Sequence, residues 1–217
     1  MNFEKARFNM IEQQIRPWDV LDTSVLDLLA VVKREDFVPA ALRDKAFTDV
    51  ELPLGQGRHA LPPRVEARWM QELQVKRHEK VLEIGTGTGY LAALLGYKVQ
   101  QVFTVERDAA LAAQARESLR RAGVLNVTVV EGDGAKGLPG EAPFDVILLS
   151  GSVHQVPQVL LDQLKVGGRL GAIVGDEPAM VASITYRTGE REYKRENLFE
   201  TVVERLPGFE AGSQFTF

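Results

Sequence analysis

The stretch Val81-Leu82-Glu83-Ile84-Gly85-Thr86-Gly87-Thr88-Gly89-Tyr90 decides the fold of this chain. A short apolar run with one embedded glutamate turns through three alternating glycines and opens an Ala/Leu-rich stretch at residues 91–95. This order predicts a strand, a tight turn and a helix N-terminus, which together begin a βαβ unit. Glycines adopt left-handed dihedral angles and let a ligand approach the backbone closely. The stretch therefore predicts a site where a small polar ligand lies against backbone N–H groups.

Composition excludes several other classes of protein. The 217 residues are 45% hydrophobic and 26% charged, which is ordinary for a globular chain, and the net charge of −4 gives no argument for nucleic acid or an anionic membrane as a partner. The absence of cysteine excludes disulfides and thiolate metal sites and favours a reducing compartment. The three histidines are widely spaced, so we expect no metal site. Without a signal peptide or an apolar run of ~18–20 residues, the expected location is the cytoplasm.

The N-terminal part of the chain is expected to form amphipathic helices that pack on the later sheet. Phe8, Ile11 and Ile15 recur at helical spacing. Asp22 is the expected N-cap of a second helix, and a third, shorter turn is expected over residues 40–46.

Residues 51–64 show no periodicity and contain two glycines and three prolines. A stretch of this length without a secondary-structure pattern is more typical of a functional loop than of a plain connector. We therefore expect an irregular loop here.

After the glycine turn, strand and helix patterns alternate. Strands are expected over 101–106, 127–131, 144–149 and 168–174, and helices over 109–122 and 157–164. Near-continuous apolar strands in this order indicate an α/β fold with a doubly wound, mostly parallel sheet covered on both faces.

The tail differs, because residues 182–187, 193–198 and 200–206 are typical of three strands joined by turns, which predicts an antiparallel edge. We expect a single domain over residues 1–217. It divides into an N-terminal helical cap and substrate loop (1–64), an α/β core (65–175) and antiparallel edge strands (176–217).

Ligands of open parallel sheets bind at the carboxyl ends of the strands. Glu83 precedes the glycine turn, and Glu106 ends the next strand, where a carboxylate can accept both hydroxyls of a ribose. Asp133 follows the third strand and offers a carboxylate to an adenine amino group, and Ser150 ends the fourth. Together these strand ends predict a nucleoside-like ligand.

NAD(P) and S-adenosylmethionine (AdoMet) are both ligands of this kind. The dinucleotide fingerprint needs a small residue at position 90, which is Tyr90 here, and the pyrophosphate of NAD must lie tight on the helix N-terminus. AdoMet has no phosphate and carries an amino-acid end and a sulfonium that suit the acidic Glu83. AdoMet is therefore favoured over NAD(P) or another nucleotide.

The order of these motifs resembles the protein-L-isoaspartate (D-aspartate) O-methyltransferase family of class I AdoMet-dependent methyltransferases. The matching stretches include Gln14-Ile15-Arg16, Asp36-Phe37-Val38-Pro39, Leu52-Pro53-Leu54-Gly55, Val81–Tyr90, Thr104-Val105-Glu106-Arg107 and Gly132-Asp133-Gly134. By that similarity, AdoMet contacts carry over to Glu83, Gly85, Thr86, Gly87, Gly89, Glu106, Asp133 and Gly134. The adjoining strand-end residues that complete the predicted site are Ile84, Arg107, Gly132 and Ser150.

The resemblance also places the substrate loop. The family usually has Gly-Gln-Thr-Ile-Ser-Gln-Pro here, whereas this chain reads Gly57-Arg58-His59-Ala60-Leu61-Pro62-Pro63. Leu61 thus stands at the position of the serine and Pro62 at that of the glutamine. His59, Ala60 and Leu61 are the expected substrate-loop residues.

The resemblance implies methyl transfer from AdoMet to isoaspartyl carboxylates in damaged proteins or peptides. A carboxylate is ionised at neutral pH, so this reaction requires no general base and we assign no catalytic residue. Two alternatives stay open: the same fold methylating a different small-molecule acceptor, such as a small carboxylate, or another protein group, and a non-catalytic AdoMet-binding module.

Overall fold

A computed structural model describes residues 1–210. Its α-helices are α1 (Phe3–Met10), α2 (Thr23–Val31), α3 (Pro63–Leu73), α4 (Tyr90–Lys98), α5 (Ala109–Arg121) and α6 (Gln158–Leu161). Its strands are β1 (Leu52–Gly55), β2 (Arg58–Ala60), β3 (Lys80–Ile84), β4 (Gln101–Glu106), β5 (Val127–Glu131), β6 (Phe144–Val153), β7 (Leu164–Asp176), β8 (Ala179–Arg187) and β9 (Tyr193–Glu200).

The central sheet has seven strands in the order β5-β4-β3-β6-β7-β8-β9. The pairs from β5 to β7 are parallel, and β8 and β9 add antiparallel to the β7 edge. The predicted doubly wound, mostly parallel sheet with an antiparallel C-terminal edge is thus confirmed. The chain order reverses between β3 and β6, so the carboxyl ends of these two strands form the switch point where open α/β sheets bind ligands.

Two hydrophobic clusters lie on the two faces of the sheet. Successive residues of a strand point to opposite faces, so Val81 of β3 belongs to the cluster that contains Trp69 of α3. Its neighbour Leu82 belongs to the other cluster, with Leu160 of α6. Burying each large aliphatic side chain contributes about 1.5–3 kcal/mol, so both faces hold β3 rigidly beneath the glycine turn.

In the N-terminal segment, the structure agrees with the predicted start of the second helix and with the predicted turn that follows it. The Asp22 carboxylate accepts a hydrogen bond from the Ser24 N–H (2.8 Å) and caps α2, and residues Ala40–Lys45 form a 3-10 turn. The expected apolar stripe is wrong at Phe8, which is 63% exposed. Residues Ile11–Ile15 continue α1 as a π-helical segment, and its i→i+5 bonding changes the face that each side chain occupies.

The expected irregular loop over residues 51–64 is wrong, because β1 and β2 pair there as an antiparallel hairpin. Its strands have only four and three residues, too few to show an alternating pattern. The tight turn between them holds positive φ angles at Gly55 (95°), Gln56 (50°) and Gly57 (71°). The two glycines thus permit a turn rather than a loose connection.

Two expectations for the second half of the chain also need correction. The helix predicted over residues 157–164 is only the four residues of α6, because Leu164 already begins β7. The third tail strand, predicted over residues 200–206, is absent from the described residues. After β9 ends at Glu200, the chain makes a single parallel bridge between Arg205 and Ser152.

The division of residues 1–217 into three segments stays a prediction, and residues 211–217 of its last segment lie outside the described part. No helix among residues 1–210 is both long and apolar enough to cross a membrane.

Candidate active site

The carboxyl ends of β3 and β6 meet at Glu83, which is completely buried. One of its carboxylate oxygens accepts a hydrogen bond from Ser150 Oγ (2.8 Å), and the other accepts one from Thr104 Oγ1 (2.6 Å). Thr104 Oγ1 also lies 2.6 Å from Thr86 Oγ1 of the glycine turn. These contacts place the predicted residues Glu83, Thr86 and Ser150 in one hydrogen-bonded group at the switch point.

Burial raises the pKa of Glu83 to about 8, although the hydrogen bonds from Thr104 and Ser150 lower it. The negative charges of Glu66 and Glu106 raise the pKa of Glu83 further. The Glu83 carboxyl is therefore mostly protonated at neutral pH. A cationic group placed against it would favour the ionised form, so the site is suited to a positively charged ligand.

The glycine bend follows directly, with positive φ angles at Gly85 (94°), Gly87 (50°) and Gly89 (83°). The Gly87 N–H donates to Glu106 Oε2 at 2.9 Å, which ties the bend to the end of β4. Residues with a side chain rarely adopt these φ angles, so glycines occupy the three positions. The bend therefore presents its backbone, rather than side chains, to the switch point.

A cleft opens over this bend. Its lining includes Gly85, Glu106 and Ser150 of the strand ends together with His59 and Leu61 of the hairpin segment. The cleft thus brings the predicted ligand turn and the predicted substrate loop together, although they lie far apart in sequence.

Two smaller openings adjoin the cleft, one beside Glu83 and Thr86 and one beside Ile84, Arg107 and Gly134. The cleft and these openings are lined by most of the predicted site: Glu83, Ile84, Gly85, Thr86, Gly87, Glu106, Arg107, Gly134 and Ser150, with His59, Ala60 and Leu61 of the loop.

Gly89, Gly132 and Asp133 do not line these openings. A Cβ at Gly89 would lie 3.2 Å from Cβ of Ala115, so this glycine permits close packing of the bend on α5. The Asp133 carboxylate accepts a hydrogen bond from the Ala135 N–H at 3.1 Å and so caps a short turn. The cofactor contacts predicted for these three residues stay predictions.

A buried ion pair positions the substrate loop. Arg34 Nε donates to Glu66 Oε2 at 2.8 Å, and its Nη2 donates to the carbonyl of Leu61 at 2.8 Å. Burial raises the pKa of Glu66, while the Arg34 charge opposes that rise. The Leu61 side chain is only 7% exposed, so its carbonyl is fixed while its apolar side chain forms part of the cleft wall.

Tyr90, at the first position of α4, does not line the openings described above. Its hydroxyl donates to the carbonyl of Val32 at 3.3 Å, and its ring packs edge-on against Phe37 with the centroids 5.5 Å apart. Burial raises the pKa of Tyr90. Its contacts support the expected packing of the N-terminal segment on the core.

The sequence reasoning missed the residues that close the cleft from the C-terminal side. Residues 201–209, called the C-terminal strap below, follow β9 and cross the carboxyl ends of the strands. Leu206 of the strap lies over the bend, 2.7 Å from the position that a Cβ of Gly85 would take. Glu204 and Pro207 line the cleft as well. The apolar pattern of this segment indicated a strand and carried no signal for the site.

Among residues 1–210, no group of three or more His, Asp or Glu side chains is placed to hold a metal ion. The site therefore consists of a buried carboxyl, a backbone bend and a cleft that leads to an outer loop. A doubly wound sheet with this bend at its switch point is common to Rossmann-like nucleotide-binding folds, and the class within it that fits the buried Glu83 and the bulky Tyr90 is that of AdoMet-dependent methyltransferases.

Comparison with known proteins identifies the family within that class. The family model described as protein-L-isoaspartate(D-aspartate) O-methyltransferase (PCMT) matches residues 5–205. The chain belongs to this family.

Individual relatives agree in sequence and in fold. The chain is 41% identical to protein-L-isoaspartate O-methyltransferase 1 of Syntrophobacter fumaroxidans over 198 residues, covering 91% of this chain and 92% of that protein. It is 44% identical to protein-L-isoaspartate O-methyltransferase of Koribacter versatilis over 173 residues, covering 80% of this chain and 78% of that protein. A Plasmodium falciparum structure assigned to the same family, in complex with S-adenosyl-L-homocysteine, has a TM-score of 0.79 at 17% identity, covers 94% and 97% of the two chains and shows the shared fold.

Proposed function

We propose that this protein transfers the methyl group of AdoMet to the carboxylate of isoaspartyl residues in damaged proteins or peptides. The observation that carries the proposal is that the glycine bend and the substrate loop line one cleft, with Glu83 in an adjoining opening lined by the same bend and loop. The relatives named protein-L-isoaspartate O-methyltransferase support the choice of acceptor.

The residues present fit AdoMet. Glu83 is a buried carboxyl suited to the α-ammonium group of the amino-acid end, and the Gly85 and Gly87 bend presents backbone rather than side chains beside it. Glu106 lies at the end of β4, where its carboxylate can accept hydrogen bonds from the ribose hydroxyls in place of the one that it accepts from the Gly87 N–H. We propose as cofactor-binding residues Glu83, Ile84, Gly85, Thr86, Gly87, Gly89, Glu106, Arg107, Gly132, Asp133, Gly134 and Ser150.

When bound, AdoMet supplies a methyl group on a positively charged sulfur. The acceptor carboxylate is already ionised, with a reference pKa of ~4, so the chain does not need to remove a proton. Its task is to hold the two reactants in line, which gains roughly 7–11 kcal/mol in well-oriented reactions. Leu61 excludes water with an apolar side chain, and Arg34 fixes the backbone of that residue.

The test is methylation of an isoaspartyl peptide beside its aspartyl twin, with the methyl ester detected by mass spectrometry. We expect ester on the isoaspartyl peptide only. If neither peptide is esterified while AdoMet binds, the proposed acceptor is wrong.

A second candidate, methylation of a different acceptor, is favoured by one observation: the family serine and glutamine are Leu61 and Pro62 here. Leu61→Ser separates the two. A gain of isoaspartyl methylation in this variant, over a weak wild-type rate, would show that the loop sets the choice of acceptor. If no acceptor in a broad screen is methylated although AdoMet binds, the chain is a non-catalytic AdoMet-binding module.

We propose a cytoplasmic location and protein or peptide substrates rather than nucleic acid. The absence of cysteine and the net charge of −4 support these two points. Fractionation of cells that express the chain tests the location.

A further inference from the structure

Two N–H donors and one imidazole nitrogen of the substrate loop converge on one carboxylate, that of Glu204. Glu204 Oε2 accepts a hydrogen bond from the His59 N–H at 2.6 Å and lies 3.1 Å from His59 Nδ1. Glu204 Oε1 accepts one from Arg58 Nη1 at 3.3 Å. A backbone amide, an imidazole and a guanidinium in this arrangement form a binding site for an anion, and Glu204 supplies that anion from within the chain.

Glu204 reaches this site from the C-terminal strap rather than from a regular strand. The strap is held by backbone hydrogen bonds in which the Ser152 N–H donates to the Glu204 carbonyl (2.8 Å) and the Leu206 N–H donates to the Ser152 carbonyl (2.9 Å). The Glu204 N–H donates to Glu51 Oε1 at 2.9 Å. These bonds fix the backbone, so the Glu204 side chain can leave the donors while the strap stays in place.

The contact is open to exchange with solvent. The side chains of Arg58, His59 and Glu204 are 36%, 37% and 25% exposed. Ion pairs with this exposure are weak, because water competes for both partners. A carboxylate from outside can therefore replace that of Glu204 without the cost of breaking a buried pair.

The anion site lies in the cleft of the proposed active site. Arg58, His59 and Glu204 line the same cleft as Gly85 and Ser150, so a molecule bound to the two loop residues extends toward the glycine bend. Neither Arg58 nor His59 occurs at these positions of the usual family loop described above.

We infer that Arg58 and His59 form the docking site for the carboxylate of the methyl acceptor, and that Glu204 fills this site until the acceptor arrives. The identity of the acceptor rests on the proposed function. The site itself selects acceptors that present a free carboxylate, and Glu204 lowers their affinity because it competes for the same donors.

The test is the binding of an isoaspartyl peptide in the presence of saturating S-adenosylhomocysteine, measured by calorimetry, so that no methyl transfer is needed. Glu204→Gln keeps the size of the side chain and removes its charge. We expect the peptide Kd of this variant to fall about tenfold, a change of ~1.4 kcal/mol. We expect Arg58→Gln to raise the Kd and to cancel the gain in the double variant. Glu200→Gln, at the exposed end of β9, is the matched control with no expected change.

The His59 amide resonance supplies a second readout, since a carboxylate hydrogen bond moves its ¹H shift downfield. In Glu204→Gln this shift should move upfield, and it should return when the peptide is added. An unchanged or higher peptide Kd in Glu204→Gln, or no peptide binding to that variant, would overturn the inference. Tight binding without methyl ester formation would contradict the proposed function and leave the docking site standing.

Discussion

Binding of AdoMet should release a proton from Glu83, and its affinity should therefore depend on pH. Burial holds the pKa of this carboxyl at about 8 in the free protein. At pH 7, about nine in ten molecules then carry the proton, and each lower pH unit adds ~1.4 kcal/mol to the cost of ionising the group. A cationic ligand against Glu83 favours the ionised form and lowers its pKa toward the usual value.

The sign follows from these two states. Below the free-protein pKa, the ligand must displace a proton, so the Kd should fall by up to tenfold between pH 6 and pH 7. The α-amino group of the ligand keeps its own proton in this window, because its reference pKa is ~7.7–8.0. Without ligand, the free energy of unfolding should also depend on the raised pKa of Glu83. The contribution of this carboxyl to stability is complete below its unfolded pKa of 4.5 and is lost as the pH rises through about 8.

Calorimetry in two buffers of different ionisation enthalpy measures the released protons directly. We expect about 0.9 proton per AdoMet at pH 7 for the wild type. Glu83→Gln keeps both hydroxyl partners but cannot titrate, so it should release none and show a flat Kd between pH 6 and pH 7. A wild-type Kd independent of pH, with no proton released, would refute the placement of the ligand's α-ammonium group at Glu83.

Two further predictions concern the bend and the buried ion pair. Gly87→Val should weaken AdoMet binding at least 100-fold in a calorimetric titration, because a branched side chain would enter the ligand site. The control is Gly123→Ala, since Gly123 also has a positive φ (70°) but open space around it, and this variant should bind AdoMet normally. Equal losses of affinity in the two variants would indicate backbone strain alone. Glu66→Met should lower the free energy of unfolding by about 3–5 kcal/mol in urea titrations, since it leaves Arg34 buried without its partner. Arg34→Met combined with Glu66→Met should recover part of this loss, and additive losses would argue against the pair.

The core of the fold was predictable because its signals are local. Apolar strands of five or six residues and the glycine bend indicate the parallel sheet directly, and β4 and β5 were predicted with their observed bounds. The hairpin of β1 and β2 was not predicted, since strands this short carry no periodicity. The π-helical continuation of α1 likewise depends on tertiary packing, which overrides the helical spacing that placed Phe8 inside.

The part of the site that could be predicted from the sequence is the part that lies at the carboxyl ends of the parallel strands. Glu83, Glu106 and Ser150 come directly after or within strands, and parallel strands bring their carboxyl ends together whatever the side chains are. Glu204 and Leu206 follow an antiparallel edge strand, and nothing local indicates that the chain returns across the sheet there. Their position depends on hydrogen bonds to Ser152, which is about 50 residues away in sequence.

Leu61 stands where the family usually has serine, and polar groups nevertheless line the cleft close to it. Leu61 is buried, and the Arg34 bond to its carbonyl fixes the backbone whatever side chain stands there. The donors lie instead two and three residues earlier, at His59 and Arg58, on the strand of the hairpin that faces the strap. In the inferred docking site these donors hold the acceptor carboxylate, while Leu61 forms an apolar part of the cleft wall. Such a wall suits methyl transfer, because the opposite charges of donor and acceptor cancel as the bond forms.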